Sequence, residues 1–209
     1  MEGSQTRRTF GGVLCGGASS RMGSNKALLG LNGVPLAAHV AGVLRAAGAE
    51  MVVALGGDPA TVETTSLPVV ADRVPDAGPL AGILGGLAHF DTMVAPAADA
   101  PYVAIFAACD LPQITPDVVA LLMKRVVDGA DVAAVEVAGR AQWHLSVVSS
   151  TAHGRLGQVW DSGERSLGRA FRQLEPALVP LEGVLAHLAP SVADVDTPED
   201  WNAIDERDR

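Results

Sequence analysis

The chain has 209 residues, of which 48% are hydrophobic and 19% charged, and a formal net charge of −9. That length suits one α/β domain, taken here as residues 1–209 with 1–9 flexible, and the composition excludes a disordered chain. The acidic balance argues against a nucleic-acid partner, which would want a basic face, and means that an anionic substrate needs locally gathered cations or a divalent metal.

Residues 1–9 are polar, with Arg7 and Arg8, and no apolar run of signal-peptide or membrane-span length follows, so the expected location is the cytoplasm, away from membranes. Residues 10–15 read as the first strand, ending in Gly16 and Gly17. The small-residue loop after it carries Arg21, Gly23 and Lys26. Glycines let backbone N–H groups approach an anion with no Cβ in the way, and two cations beside them suit a nucleoside triphosphate. The loop is neither a Walker A motif, since Gly23 is followed by Ser24 and Asn25 before Lys26, nor a G-x-G-x-x-G fingerprint.

A helix is predicted over 35–48, with Pro35 in its first turn and Gly48 as its terminal cap. The second strand, 51–55, runs into Gly56-Gly57-Asp58; a short helix at 61–65 and a third strand at 68–71 follow. Asp72 opens the next loop, which contains Gly78, and a helix with Gly82 in it spans 80–90. The almost wholly apolar stretch 102–107 predicts a strand covered on both faces, delivering Cys109 and Asp110 at its end. A helix over 115–128 would be capped by Thr115 with Pro116 in first position. Strands at 132–137 and 143–149, joined at Ala138-Gly139-Arg140, suggest an antiparallel pair. Helices at 151–161 and 166–173, a strand at 177–180, an extended piece at 192–195 and a helix from Pro198 complete the chain.

Alternating strands and helices imply βαβ crossovers: a Rossmann-like three-layer fold, its sheet mainly parallel, helices on both faces and a small antiparallel element in the second half. Ligands in such sheets bind beyond strand carboxyl ends, and the glycine loop, Asp72 and Asp110 all fall there. Asp110, at the end of a buried strand, needs a partner, and Mg²⁺ carried by a triphosphate is a good one. Asp196 either adds to that metal site or caps the last helix. Cys15 and Cys109 read as small buried residues at strand ends, not a disulfide. The scattered His39, His89, His153 and His187 have no zinc-ligand spacing.

The pattern L-x-G-G-x-S-x-R-M-G-x-x-K from Leu14 to Lys26 resembles the signature loop of the nucleotidyltransferases that mature the molybdenum cofactor, and the double glycine resembles their guanylyltransferase branch. Gly78-Pro79-Leu80-Ala81-Gly82, Cys109-Asp110-Leu111-Pro112 and Asp196-Thr197-Pro198-Glu199-Asp200 follow in the family's order. The resemblance implies a Mg²⁺-dependent enzyme that moves GMP from GTP to the terminal phosphate of molybdopterin and releases pyrophosphate, with contacts to other proteins of cofactor assembly. Under it, Leu14, Cys15, Gly16, Gly17, Lys26, Asp72 and Asp110 bind the nucleotide, with Asp72 on guanine. Arg21, Lys26 and Asp110 are catalytic, and the metal ligands are Asp110 and Asp196. The acceptor lies near Arg21, Gly23, Gly78, Gly82 and His144. Glycines at 56 and 57 stand where the family often has asparagine, which leaves base recognition open. The alternatives are transfer from CTP to molybdopterin, transfer from GTP to a phospholactate, and a sugar-phosphate nucleotidyltransferase; a non-catalytic nucleotide-binding partner is the reading from another class.

Overall fold

The computed structural model describes residues 7–16, 26–57, 64–72, 74–75, 77–94 and 101–205. Its strands in chain order are β1 (Arg8–Leu14), β2 (Gly30–Leu31), β3 (Val34–Pro35), β4 (Met51–Leu55), β5 (Val69–Val70), β6 (Tyr102–Ala108), β7 (Val132–Val137), β8 (Arg140–Ser149) and β9 (Ala177–Pro180). The α-helices are α1 (Leu36–Ala46), α2 (Pro79–Val94), α3 (Pro116–Val127), α4 (His153–Asp161), α5 (Leu167–Arg172) and α6 (Pro198–Asp205).

Among the described residues seven strands form one sheet in the order β5-β4-β1-β6-β8-β7-β9. β5, β4, β1 and β6 are mutually parallel, as are β7 and β9, while β8 runs antiparallel to β6 and β7. The antiparallel pair is therefore not a separate flap but the continuation of the main sheet, and strand direction reverses at the β6/β8 seam. Side chains alternate across β6: Val103, Ile105 and Ala107 enter the core beneath α1 and α3, whereas Tyr102, Ala104 and Phe106 enter the core beneath α2, α4 and α5. Burial on both faces is why the strand reads as an unbroken apolar run.

β1 carries glycine at 11 and 12 because its neighbours fill its space. A Cβ on Gly12 would sit 2.6 Å from Leu55 Cδ1 and 2.9 Å from Phe106 Cδ1, both on fully buried side chains. Gly12→Ala is thus expected to lower unfolding stability by about 1–3 kcal/mol, read from urea denaturation midpoints.

Several boundaries differ from the sequence expectations. Pro35 is not in the first turn of α1; it pairs with Gly30 in the β2–β3 hairpin, and the Leu36 N–H donates to the Leu29 carbonyl. The hairpin turns at Asn32 and Gly33, with φ of 50° and 77°. Thr115 flanks α3, but its hydroxyl shares a 3.2 Å hydrogen bond with Ser191 instead of capping the helix. Residues 183–192 form a 3-10 helix where an extended segment was expected to begin at 192. The helix expected at 61–65 lies mostly outside the described residues.

Candidate active site

The C-terminal ends of β1 and β6 and the N-terminal half of β8 border a cavity of about 650 Å³, whose lining includes Leu14, Cys15, Gly16, Lys26, Cys109, Asp110, Trp143, His144, Arg165, Ser166 and Asp194. Lys26 opens the 3-10 turn Lys26–Leu28, anchored by the fully buried Ala27. Its ammonium donates to Asp110 Oδ2 at 3.1 Å and to Asp196 Oδ1 at 2.8 Å. Residues separated by 84 and 170 positions thereby converge on one cation. Burial works to lower the Lys26 pKa, but the hydrogen bonds to Asp196 and Asp110 outweigh it and leave the ammonium favoured beyond its usual range.

Backbone contacts hold this convergence. The Cys109 N–H donates to the Leu14 carbonyl at 3.1 Å, and the Val195 N–H donates to the Asp110 carbonyl at 3.1 Å. One of the two roles weighed for Asp196 is taken by other side chains. Capping falls to its neighbours: Thr197 Oγ1 accepts the Asp200 N–H at 3.1 Å, and Asp200 Oδ2 accepts the N–H groups of Thr197 and Asp196 at 2.9 and 3.2 Å. These bonds, led by that of Thr197, hold the Asp200 carboxyl below its usual range. The Asp196 carboxylate is left for Lys26. Asp194 lines the same cavity.

Asp72 projects toward Gly16, Gly56 and Gly82. Its carboxylate oxygens lie 3.0–3.5 Å from where Cβ atoms would stand on Gly16, Gly56 and Gly82. A Cβ at Gly56 or Gly82 would crowd the carboxylate, and Gly56 also requires φ +66°, whereas one at Gly16 would make only ordinary contact with it. Gly82 thus sits against Asp72, and Gly78 precedes α2 with φ +85°. Gly17, Arg21 and Gly23 lie outside the described residues.

Cys15 and Cys109 are both free and buried. They extend the register that pairs Leu14 with Ala108, and a hydrogen bond to Cys15, with burial, raises the Cys109 thiol well above its usual range. His144 Nε2 lies 2.9 Å from the Val192 carbonyl, which can only accept, so Nε2 carries the proton and ties β8 to the 3-10 helix.

The wall made by Trp143, Arg165 and Ser166 was not anticipated as part of the site. The sequence signal was the turn after α4, where Gly163 (φ +97°) ends the helix and Ser166 opens α5 by accepting the Arg169 N–H. Glu164 fixes that turn. It accepts two bonds from the Arg169 guanidinium, at 2.7 and 2.9 Å, and the N–H groups of Ser166 and Arg165 at 2.7 and 2.8 Å. Those contacts, Arg169 foremost, hold its carboxyl at about 2. The Arg165 guanidinium lies 3.8 Å over the Trp160 ring and donates to the Trp160 carbonyl.

Comparisons with known proteins agree with this geometry. The MobA-like NTP transferase domain family matches residues 11–178. A molybdenum cofactor guanylyltransferase of Pseudomonas putida is 32% identical over 161 residues, covering 76% of this chain and 80% of that protein. A probable molybdenum cofactor guanylyltransferase of Natronomonas pharaonis is 29% identical across 94% of this chain and 96% of its own. Among solved structures, molybdopterin-guanine dinucleotide biosynthesis protein A from Archaeoglobus fulgidus superposes with a TM-score of 0.72 at 23% identity, over 94% of this chain and 97% of that one. A seven-strand sheet that brings a lysine from the first loop onto an aspartate from the central strand, together with these matches, places the chain in the MobA-like nucleotidyltransferase family.

Proposed function

We propose that the protein transfers GMP from GTP to the terminal phosphate of molybdopterin and releases pyrophosphate. The observation that carries this reading is the meeting of Lys26 with Asp110 and Asp196 at the mouth of β1 and β6. Lys26 supplies fixed positive charge for the triphosphate, where negative charge grows on the departing pyrophosphate. An acceptor phosphate oxygen forms a bond to the α-phosphorus as the bond from that phosphorus to the bridging oxygen breaks. The acceptor oxygen is already anionic, so no general base is needed, and the acceleration comes from alignment and charge neutralisation.

The donor set suits Mg²⁺. Two hard carboxylates aim at one cationic point, and this ion is commonly held by one or two carboxylates together with substrate phosphates. When bound, Mg²⁺ neutralises phosphate charge and orients the triphosphate. Asp110 and Asp196 would hold it, and Arg21 would join Lys26 on the phosphates. Asp72, in its glycine cradle, would accept from the N1 and N2 hydrogens of guanine, donors that cytosine lacks in that arrangement.

The test is pyrophosphate release from each of the four nucleoside triphosphates, with and without molybdopterin. Release with GTP, dependent on both molybdopterin and Mg²⁺, is expected, alongside a larger rise in melting temperature with Mg–GTP than with Mg–CTP. Equal shifts for the two nucleotides would overturn the guanine assignment, and release independent of molybdopterin would overturn the acceptor.

A further inference from the structure

We infer that Trp143 is a stacking platform for a planar heteroaromatic ring, and that this ring is the heterocycle of the acceptor; the second half of the inference rests on the transfer proposed above. Three observations converge on it.

The first is position. β8 pairs with β6 through Leu145 opposite Ala107. The pairing stops there, and β8 is irregular against β7 between Ser146 and Gln142, so Trp143 sits in a bulge and lines the same cavity as Cys109 and Asp110. β8 lies on the side of β6 away from β1, so the indole enters the cavity from that side. Asp72 and its glycine cradle lie on the other side, at the ends of β4 and β5. Gly16 lines the cavity on the side toward Asp72, and the aromatic plane of Trp143 lines it on the other.

The second is how the indole is held. A Cβ on Gly168 would fall 2.7 Å from Trp143 Nε1, so α5 approaches the ring as closely as only glycine permits. Phe171 meets the ring edge-on, with centroids 5.7 Å apart and planes at 62°, and the Arg172 guanidinium carbon lies 5.5 Å from its centroid. The ring is half-buried but still lines the cavity. A side chain already fixed in place loses little rotamer freedom when a ligand stacks on it.

The third is the polar rim. Arg165, Ser166 and His144 border the cavity around Trp143, and the first two sit on the turn that Glu164 locks. An aromatic plane with a cationic and hydroxyl rim fits a polar bicyclic ring bearing an anionic tail, and less well an aliphatic acid such as a phospholactate or a sugar phosphate.

The test is a calorimetric titration of the wild type, Trp143→Phe, Trp143→Ala and Gly168→Ala with a pterin monophosphate, and separately with GTP and Mg²⁺. Base–aromatic stacking predicts that Trp143→Ala weakens the pterin about tenfold to a hundredfold. Trp143→Phe should recover most of that loss, and Gly168→Ala, which displaces the ring without removing it, should fall between. The Kd for Mg–GTP is expected to stay within about twofold in all variants, as for groups with no shared contact. No pterin binding by the wild type, an unchanged Kd in Trp143→Ala, or a loss that phenylalanine fails to restore would overturn the platform. Failure of the wild type to bind Mg–GTP would instead overturn the nucleotide reading, and the pterin titration would still judge Trp143 by itself.

Discussion

Asp110→Asn is expected to cut pyrophosphate release by at least about 10²–10³-fold, the loss that follows when one pre-aligned electrostatic contact to a developing charge is removed. The substitution keeps the side chain's size and leaves the Asp110 carbonyl to accept the Val195 N–H, so the segment carrying Asp196 stays in place. Lys26 retains its 2.8 Å bond to Asp196. The melting temperature should accordingly move by only a few degrees, within the usual reach of about 1 kcal/mol. If Asp110 helps to hold Mg²⁺, the variant's GTP affinity should also respond less to Mg²⁺ than the wild type's. Full turnover by Asp110→Asn would show that the carboxylate is not part of the reaction.

Lys26→Met should be comparably damaging to turnover, again about 10²–10³-fold, and should carry a salt dependence of stability that Asp110→Asn lacks. Without the ammonium, Asp110 and Asp196 lose the cation they share. The stability deficit relative to wild type should therefore be largest at low ionic strength and shrink as added salt screens the two like charges. In the wild type the folded Lys26 pKa is raised. Its contribution to stability is therefore complete below the unfolded value of about 10.4 and is lost only as pH climbs through the higher folded value. Deprotonation of Lys26 should consequently produce no limb in an activity profile between pH 6 and 9. A stability deficit in Lys26→Met that is the same at low and high salt, read by denaturant titration, would rule out the repulsion.

Much of the sheet was legible because its signals are local. The apolar runs at 51–55 and 132–137 match β4 and β7 residue for residue, and 102–107 falls one residue short of β6. Buried parallel strands leave little freedom in composition. The Asn32-Gly33 turn was equally local and was passed over, although this pair is the commonest signal for a tight hairpin; recognising it would have moved Pro35 out of the helix. Lys26 and Asp110 were foreseen as neighbours from strand ends alone, since a parallel sheet sends all its strands' C-termini to one edge. Trp143 and Arg165 were hidden for the opposite reason. Their place depends on β8 joining β6 antiparallel and on the packing of α5 over Trp143, pairings that no short stretch of sequence encodes. The role of Asp196 was undecidable from spacing because Thr197 and Asp200 stand beside it and can do the capping instead.

The reversal of strand direction between β6 and β8 has an evolutionary corollary. Asp72 and its glycines are delivered by one half of the sheet, and Trp143, His144 and Arg165 by the other, with only the central strand common to both. Under the roles proposed above for these residues, donor choice and recipient choice can then drift separately. Grafting residues 132–173 of a relative with a different recipient onto this chain is the natural chimera for exchanging one preference while the other is inherited intact.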